Sequence, residues 1–384
     1  MPCALLLGGV AFLHGQERGP QSVSAAQLQA AIDQLGNLDF PTRMNASRTV
    51  RRAPAQQVVP ALTEAVSGHD DGYVRFRALV LLTGFGDPRA RDVVRGLLDD
   101  PNNRVREVAY AWYEHNPEPG MVGPLIQANE REGDDFLRPV LFRALAAHGS
   151  DPRVRDTLLP AVKSGQDFFR SAVIEALGDY RAAYAVSELI DVANLDGPLQ
   201  DDAVMALGGI GDRRALETLA ALQRTVPRER QPAVAAAICL LGVNCDAHET
   251  FVADSLRFAA GNPGFQELVR ASATAAAALA SRGSRDMFQV LFDVGGPSVD
   301  PVRAPVALAT ATVAIRNTPL ALSVLEQRTD RDAAIALLAD GFDMLEEDFD
   351  EERFFVAVRS AYWRAEDGSA ARQLTQQLIE RLEF

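Results

Sequence analysis

An apolar residue followed by arginine recurs along this chain at a near-constant interval, and no other feature restricts the fold as strongly. The pairs are Val74-Arg75, Val105-Arg106, Leu137-Arg138, Phe169-Arg170, Val269-Arg270 and Val302-Arg303. The first three gaps are 31, 32 and 32 residues, and Leu199 continues the series 30 residues after Phe169, with Gln200 in the arginine place. Leu199 to Val269 is 70 residues, room for two longer units. Val74 to Val302 is 228 residues, about 33 for each of seven units, the length of a helical solenoid repeat. A second echo runs in step with the first: "DPRARDVV" at Asp87–Val94 returns as "DPRVRDTL" at Asp151–Leu158, 64 residues on.

Each unit reads as two helices. Val74, Ala78, Leu81 and Leu82 recur at helical spacing and give one apolar stripe. Gly84 and Gly86 stop that helix. Asp87 can then accept from free backbone N–H groups as an N-cap, and Pro88 suits the first helical position, where no N–H is needed. A second helix is predicted over roughly Arg89–Leu98. "FLRPVLFRALAAHG" with "SDPRVRDTLLPAV", and "LQDDAVMALGGIG" with "DRRALETLAAL", repeat the plan. No segment alternates apolar and polar residues as a strand would.

These units resemble HEAT-like repeats, in particular the short bacterial type also found in phycobilisome lyases. "VRFRALVLLTGFGDPRARDVV", "FRSAVIEALGDYRAAYAVSELI" and "DDAVMALGGIGDRRALETLAAL" carry the resemblance, which extends over about Arg43 to Arg328. It implies an all-α fold: a right-handed α-solenoid of about nine helix-pair repeats with helical caps. It also implies that the first helix of each pair lies outside and the second lines the concave side. "NPEPGMVGP" and "GVNCDAHET" depart from the Gly-Asp junction of the other units. The expected organisation is a signal-like segment over 1–20, an N-terminal capping helix or linker over 21–42, the repeat array over 43–334 and C-terminal capping helices over 335–384. A repeat array needs atypical ends, because a terminal repeat has one face without a neighbour.

The opening run Pro2–Leu13 is 12 residues long, too short to span a bilayer. It has the length of a secretory h-region but no basic n-region, as a truncated start would leave. The expected location is periplasmic or secreted, with the cytoplasm as the alternative, and no integral membrane segment in the mature chain. The net charge of −14 repels phosphate backbones and argues against nucleic acid as a partner. Three cysteines, Cys3, Cys239 and Cys245, imply no disulfide framework.

Helical angle sorts the residues that follow each cap. Ala90, Val154, Ala185 and Ala215 fall on one side with Val94, Leu158, Leu189 and Leu219, the predicted core face. Asp92, Asp156, Ser187 and Glu217 point away from it, as do Arg89, Arg153, Tyr184 and Arg214. If the second helices line the groove, Arg89, Asp92, Arg153, Asp156, Tyr184, Arg214 and Glu217 are its candidate binding residues. Solvated i,i+3 pairs such as Arg89–Asp92 are the plainer reading of the same charges. The arginine series itself, repeated six times, suits a structural ladder rather than an active site.

Catalytic and metal-binding chemistry is hard to place. The five histidines form no paired-ligand motif, and Cys239, Cys245, His248 and Glu249 lack the tight cysteine pairs of a closed metal site. Cys239 sits in the apolar run "AVAAAICLLG", where a thiol acts as a small hydrophobe. "GGIG" at Gly208–Gly211 follows a helix, not the strand a phosphate loop requires. The eight acids of Asp340–Glu352 read as a solvated loop and an acidic first helical turn, while Arg43, Arg48, Arg51 and Arg52 make the other end basic. No catalytic residue, metal or cofactor is therefore assigned. The sequence predicts a non-catalytic scaffold that binds a protein or peptide on its concave surface. A chromophore lyase-like or other enzyme-accessory role is the alternative.

Overall fold

A computed structural model describes residues 21–345 and 348–384; the signal-like segment over 1–20 lies outside the described residues. Twenty-two α-helices and no strand are found among them. Helices α1 (Ala25–Gln34) and α2 (Phe40–Arg52) open the described chain. Nine pairs follow, each an outer and then an inner helix. They are α3 (Ala55–Gly68) with α4 (Gly72–Gly84), α5 (Arg89–Arg95) with α6 (Asn103–His115), and α7 (Val122–Arg131) with α8 (Leu137–Ala147). Next come α9 (Pro152–Lys163) with α10 (Asp167–Asp179), α11 (Val186–Ala193) with α12 (Gln200–Ile210), and α13 (Leu216–Thr225) with α14 (Gln231–Leu240). The last are α15 (Cys245–Ala260) with α16 (Gln266–Ser281), α17 (Arg285–Gly295) with α18 (Arg303–Arg316), and α19 (Thr318–Gln327) with α20 (Arg331–Phe342). Helices α21 (Asp348–Arg364) and α22 (Ala370–Arg381) end the chain. Helix α20 belongs to the ninth pair, so the regular pattern runs past the boundary expected at residue 334.

The core follows the apolar stripes. Val74, Ala78, Leu81 and Leu82 are at most 1% exposed, and Ala90, Val94, Val154, Leu158, Ala185, Leu189, Ala215 and Leu219 are fully buried. Each valine or leucine so buried contributes about 1.5–3 kcal/mol, and this repeated stripe, more than helix propensity, fixes the helices in the stack. Asp151 caps α9 as expected, while Asp87 stands one residue before the Pro88 cap of α5 and Asp212 caps the short 3-10 turn that leads into α13; each accepts the backbone N–H two residues on at 2.9 Å. Successive inner helices approach closely through small residues. A Cβ on Gly208 would stand 2.6 Å from Ala237 Cα, and one on Gly178 would stand 2.7 Å from Ala206 Cα. Gly211 closes α12 at φ +79°, where a side chain would be strained. "GGIG" is therefore a helix-packing and helix-ending element.

The arginine series serves the turns. Arg75, Arg106, Arg170 and Arg303 donate to the last carbonyls of the preceding outer helix or the turn after it, at His69, Asp100, Val162 and Gly295, at 2.8–3.3 Å. Carbonyls left free at a helix C-terminus attract such cations. Three of these arginines also reach a carboxylate of the next repeat: Arg75–Asp100, Arg106–Glu132 and Arg303–Asp340. Arg138 instead stacks over Phe169, 4.5 Å from the ring centre, and Arg270 pairs within its own helix.

Two corrections concern side chains. The sequence reading leaves Cys239 as a free buried thiol, but it is joined to Cys245 across the turn from α14 to α15. The acidic stretch Asp340–Glu352 is not simply solvated. Asp340 meets Arg303, Asp348 meets Arg77, Asp350 meets His115 at 2.9 Å, and Glu352 meets Arg51 at 2.6 Å.

Those contacts close the array on itself. Helix α21 packs on α4 and α6, and Phe349 is buried in the N-terminal core while stacking on His115. Arg51 grips the Glu352 carboxylate through Nε and NH2, lies 5.3 Å from the Phe355 ring centre, and is nearly excluded from solvent with its partner. Arg48 donates to the Glu383 backbone carbonyl at 3.0 Å, and Phe384 is fully buried. The basic N-terminal end and the acidic C-terminal end are thus partners within one chain.

Candidate functional site

The inner helices surround a central space open to solvent, and an ionic cluster crosses it. Arg143 of α8 donates to Glu114 of α6 and to Asp179 of α10, both at 2.9 Å. Arg316 of α18 reaches over to Glu175 of α10 at 2.8 Å, spanning 141 residues of sequence. Tyr180 Oη donates to Glu114 at 2.8 Å. Burial would raise the Glu175 carboxyl, but Arg316 and Arg143 outweigh it and hold it below its usual value. Burial beside Glu114 pushes the Tyr180 phenol up. Arg282, at the end of α16, is less well met. Its NH2 lies 3.4 Å from the Gly178 carbonyl and 3.5 Å from that of Asp179, and the nearest carboxylate oxygen, on Asp179, is 3.9 Å away. Burial lowers its pKa, Asp179 raises it, and Arg181 and Arg316 lower it further.

The cluster divides the interior. On one side a cavity of about 590 Å³ is bounded by Glu107, His115, Asp350 and Arg353. On the other a chamber of about 760 Å³ is walled by Met205, Leu240, Ala277, Leu308, Pro305 and Met344. Both volumes are in the small-molecule range.

The two edges of the ring differ. At the turns from outer to inner helices, large apolar side chains face solvent: Leu38, Phe40, Phe136, Phe168, Leu195, Phe258, Phe265 and Val299. These are eight of the ten exposed large hydrophobic residues among those described, so their distribution is not scattered. Phe136 and Phe168, 77% and 59% exposed, lie with ring centres 6.0 Å apart. Acids interleave them: Asp71, Asp99, Asp134, Asp135 and Asp196. A cleft of about 700 Å³ beside Phe136 is lined by Asp99, Asp134 and Asp135. The opposite edge, at the turns from inner to outer helices, carries Arg89, Arg153, Arg181, Arg213, Arg214 and Arg285.

Residues 28–112 match the HEAT repeat family model. Over those residues the chain is similar to HEAT repeats, and the helix pairs beyond them keep the same two-row stacking. Among curated protein sequences none matches it. Solved structures similar to it include YibA from Escherichia coli, at 15% identity, covering 57% of this chain and 82% of that one with a TM-score of 0.43. The complex of CpcE and CpcF of phycocyanin lyase from Nostoc sp. PCC7120 has 17% identity, coverage of 86% and 97%, and a TM-score of 0.26. Kap121p bound to Nup53p has 14% identity, coverage of 94% and 45%, and a TM-score of 0.32. At those scores the likeness adds nothing to what the helices themselves establish.

In this array of helix pairs the expected groove residues lie elsewhere. The sequence reading places the helices that follow each Asp cap on the concave side, but they form the outer row. In most repeats such a helix packs more closely on the inner helix after it than on the one before, so the pair is offset by one helix from the frame read in sequence. Arg89, Arg153 and Arg214 sit at the arginine-rich edge, while Asp92, Asp156 and Glu217 are exposed on outer helices. The anticipated Arg89–Asp92 pair is replaced by a shorter one. Each arginine folds back on its own cap, with Arg89–Asp87 at 2.9 Å and Arg153–Asp151 and Arg214–Asp212 at 2.7 Å. These contacts hold Asp87 and Asp151 at about 2. Arg214 also donates to the Ala183 carbonyl of the preceding repeat at 2.8 Å. Tyr184 is half-buried against the core, and burial pushes its phenol up to about 12. The structure joins none of these seven into one site. Sequence reasoning missed Arg143, Glu175, Arg282 and Arg316, which lie on or at the end of the inner helices of the third, fourth, seventh and eighth pairs.

Among the described residues no single helix is long and apolar enough to cross a membrane. Glu249 offers an oxygen within 4.8 Å of both bonded cysteine sulfurs. In the disulfide state neither sulfur is the thiolate a metal needs.

Proposed function

We propose that this protein is a non-catalytic repeat scaffold that binds a polypeptide partner along the edge where its apolar side chains are gathered. The concentration of exposed large hydrophobic residues on that one edge is the observation that carries the reading, since monomers rarely leave such side chains together in water. Interleaved acids select the partner's chemistry: a docking face that is both apolar and basic, and not a nucleic acid. Aromatic residues such as Phe136 and Phe168 would supply the anchoring contacts, and the acids would set orientation and on-rate.

Affinity capture from the cells that make the protein, with wild type beside a Phe136→Asp/Phe168→Asp variant, tests this. A protein held by wild type, released by salt and lost in the variant is the expected result. Equal retention by a variant that melts with wild type would overturn the edge as the docking surface.

A further inference from the structure

The chamber on the far side of the ionic cluster has no part in the edge-docking reading. Its wall is apolar over most of its extent, and Leu308 and Met344, which line it, are 40% and 41% exposed. Its volume of about 760 Å³ is ample for a small amphiphile and small for a folded element. At its inner end stand Glu175, Asp179, Arg316 and Arg282.

The charges there are not equally committed. Glu175 is met by Arg316 at 2.8 Å, and Asp179 Oδ2 by Arg143 at 2.9 Å. Asp202 also lines the wall; burial raises its carboxyl, Ser171 lowers it and the nearby Glu175 raises it further, a net upward shift. Arg282 is the exception. Its closest acceptors are two backbone carbonyls at 3.4 and 3.5 Å, and no carboxylate approaches nearer than 3.9 Å. A guanidinium carries five N–H donors and favours planar, two-point contact with a carboxylate. Arg282 is itself exposed, so what it lacks is contact geometry: an incoming carboxylate can supply the planar two-point partner that its present long contacts do not.

We propose that the chamber binds an apolar chain ending in a carboxylate, of the fatty-acid type, with the carboxylate on Arg282 and the chain along Leu308, Met205 and Leu240. The head then sits on the cation that the ionic cluster holds least closely, with Asp179 at 3.9 Å, and the tail covers the exposed apolar wall. The inference is independent of the edge, because Phe136 and Phe168 are remote from this chamber in the ring and do not line it.

Calorimetric titration of the full chain with dodecanoate tests it, alongside dodecanol, dodecyltrimethylammonium and an apolar tetrapeptide with a free C-terminus. Dodecanoate is expected to bind with a defined stoichiometry and to be the tightest of the four. Arg282→Gln should weaken it roughly tenfold or more, the loss of a charge-assisted contact, without a similar effect on dodecanol. Leu308→Trp, at an exposed position that leaves the core intact, should weaken binding by obstructing the wall along which the chain is placed. Failure of dodecanoate to bind, or equal affinity for dodecanol, would overturn the proposal. So would tighter binding of the peptide, or dodecanoate affinity unchanged in both variants. A Phe136→Asp/Phe168→Asp protein that still takes dodecanoate separates this result from the fate of the edge reading.

Discussion

Arg51 and Glu352 show how much one contact can decide. Both side chains are nearly out of water, and the glutamate takes the guanidinium through two nitrogens. Removing one partner leaves the other charged and buried, which costs about 3–5 kcal/mol. Glu352→Gln is expected to lower the melting temperature by several degrees, while the reverse pair Glu352→Arg/Arg51→Glu should recover part of the loss; differential scanning calorimetry reads both. Little of this was legible in the sequence. Arg51 and Glu352 are 301 residues apart, and nothing local to either distinguishes a sealed pair from two solvated charges. The core residues were legible, because Ala90, Val94 and their equivalents obey a helical period that needs no knowledge of distant chain. The pairing of Arg89 was misjudged for a definite reason. The i,i+3 rule assumes both residues inside a helix, whereas Asp87 stands just before it and offers its carboxylate to both the backbone and the side chain of Arg89.

At the scale of the helix, the inner row depends on close approach. Gly178 and Gly208 let α10 meet α12 and α12 meet α14 with almost no side-chain layer between them. Gly208→Val is expected to destabilise the protein by about 1–3 kcal/mol through overpacking, despite the gain in helix propensity over glycine. Chemical denaturation measures it, and an unchanged midpoint would show that α12 and α14 can separate at no cost. The helices themselves, their caps and their number were readable from period, proline and aspartate. Which helix of a pair faces inward was not. Both carry one apolar stripe, so the pattern defines the pairing surface without its direction. The inner helices are marked only by charged residues such as Arg143 and Glu175, which look like any solvated face until the ring brings them together.

At the scale of the molecule, the seam joins ends that an open solenoid would leave apart. Part of it responds to acid. Burial would raise the Asp350 carboxyl, but hydrogen bonding and charge from His115, with Arg353, overcome this and hold it at about 2. A carboxylate depressed below its unfolded value of about 3.9 stabilises the fold fully above that pH, and the contribution is lost as pH falls through the folded value. Melting temperatures between pH 4 and pH 2 are therefore expected to fall less steeply for Asp350→Asn than for wild type. Parallel curves would show that the seam does not depend on this group. The seam also bears on how such a protein can change over generations. An open repeat array can lose or duplicate one unit and keep its remaining interfaces, since each unit touches only its neighbours. Here the last helices must arrive against the first. An insertion or deletion of a single pair would carry Glu352 away from Arg51 and Phe349 away from the N-terminal core. Closure thus makes the number of repeats a fixed property, and variation is confined to substitution and to the loops along the edges.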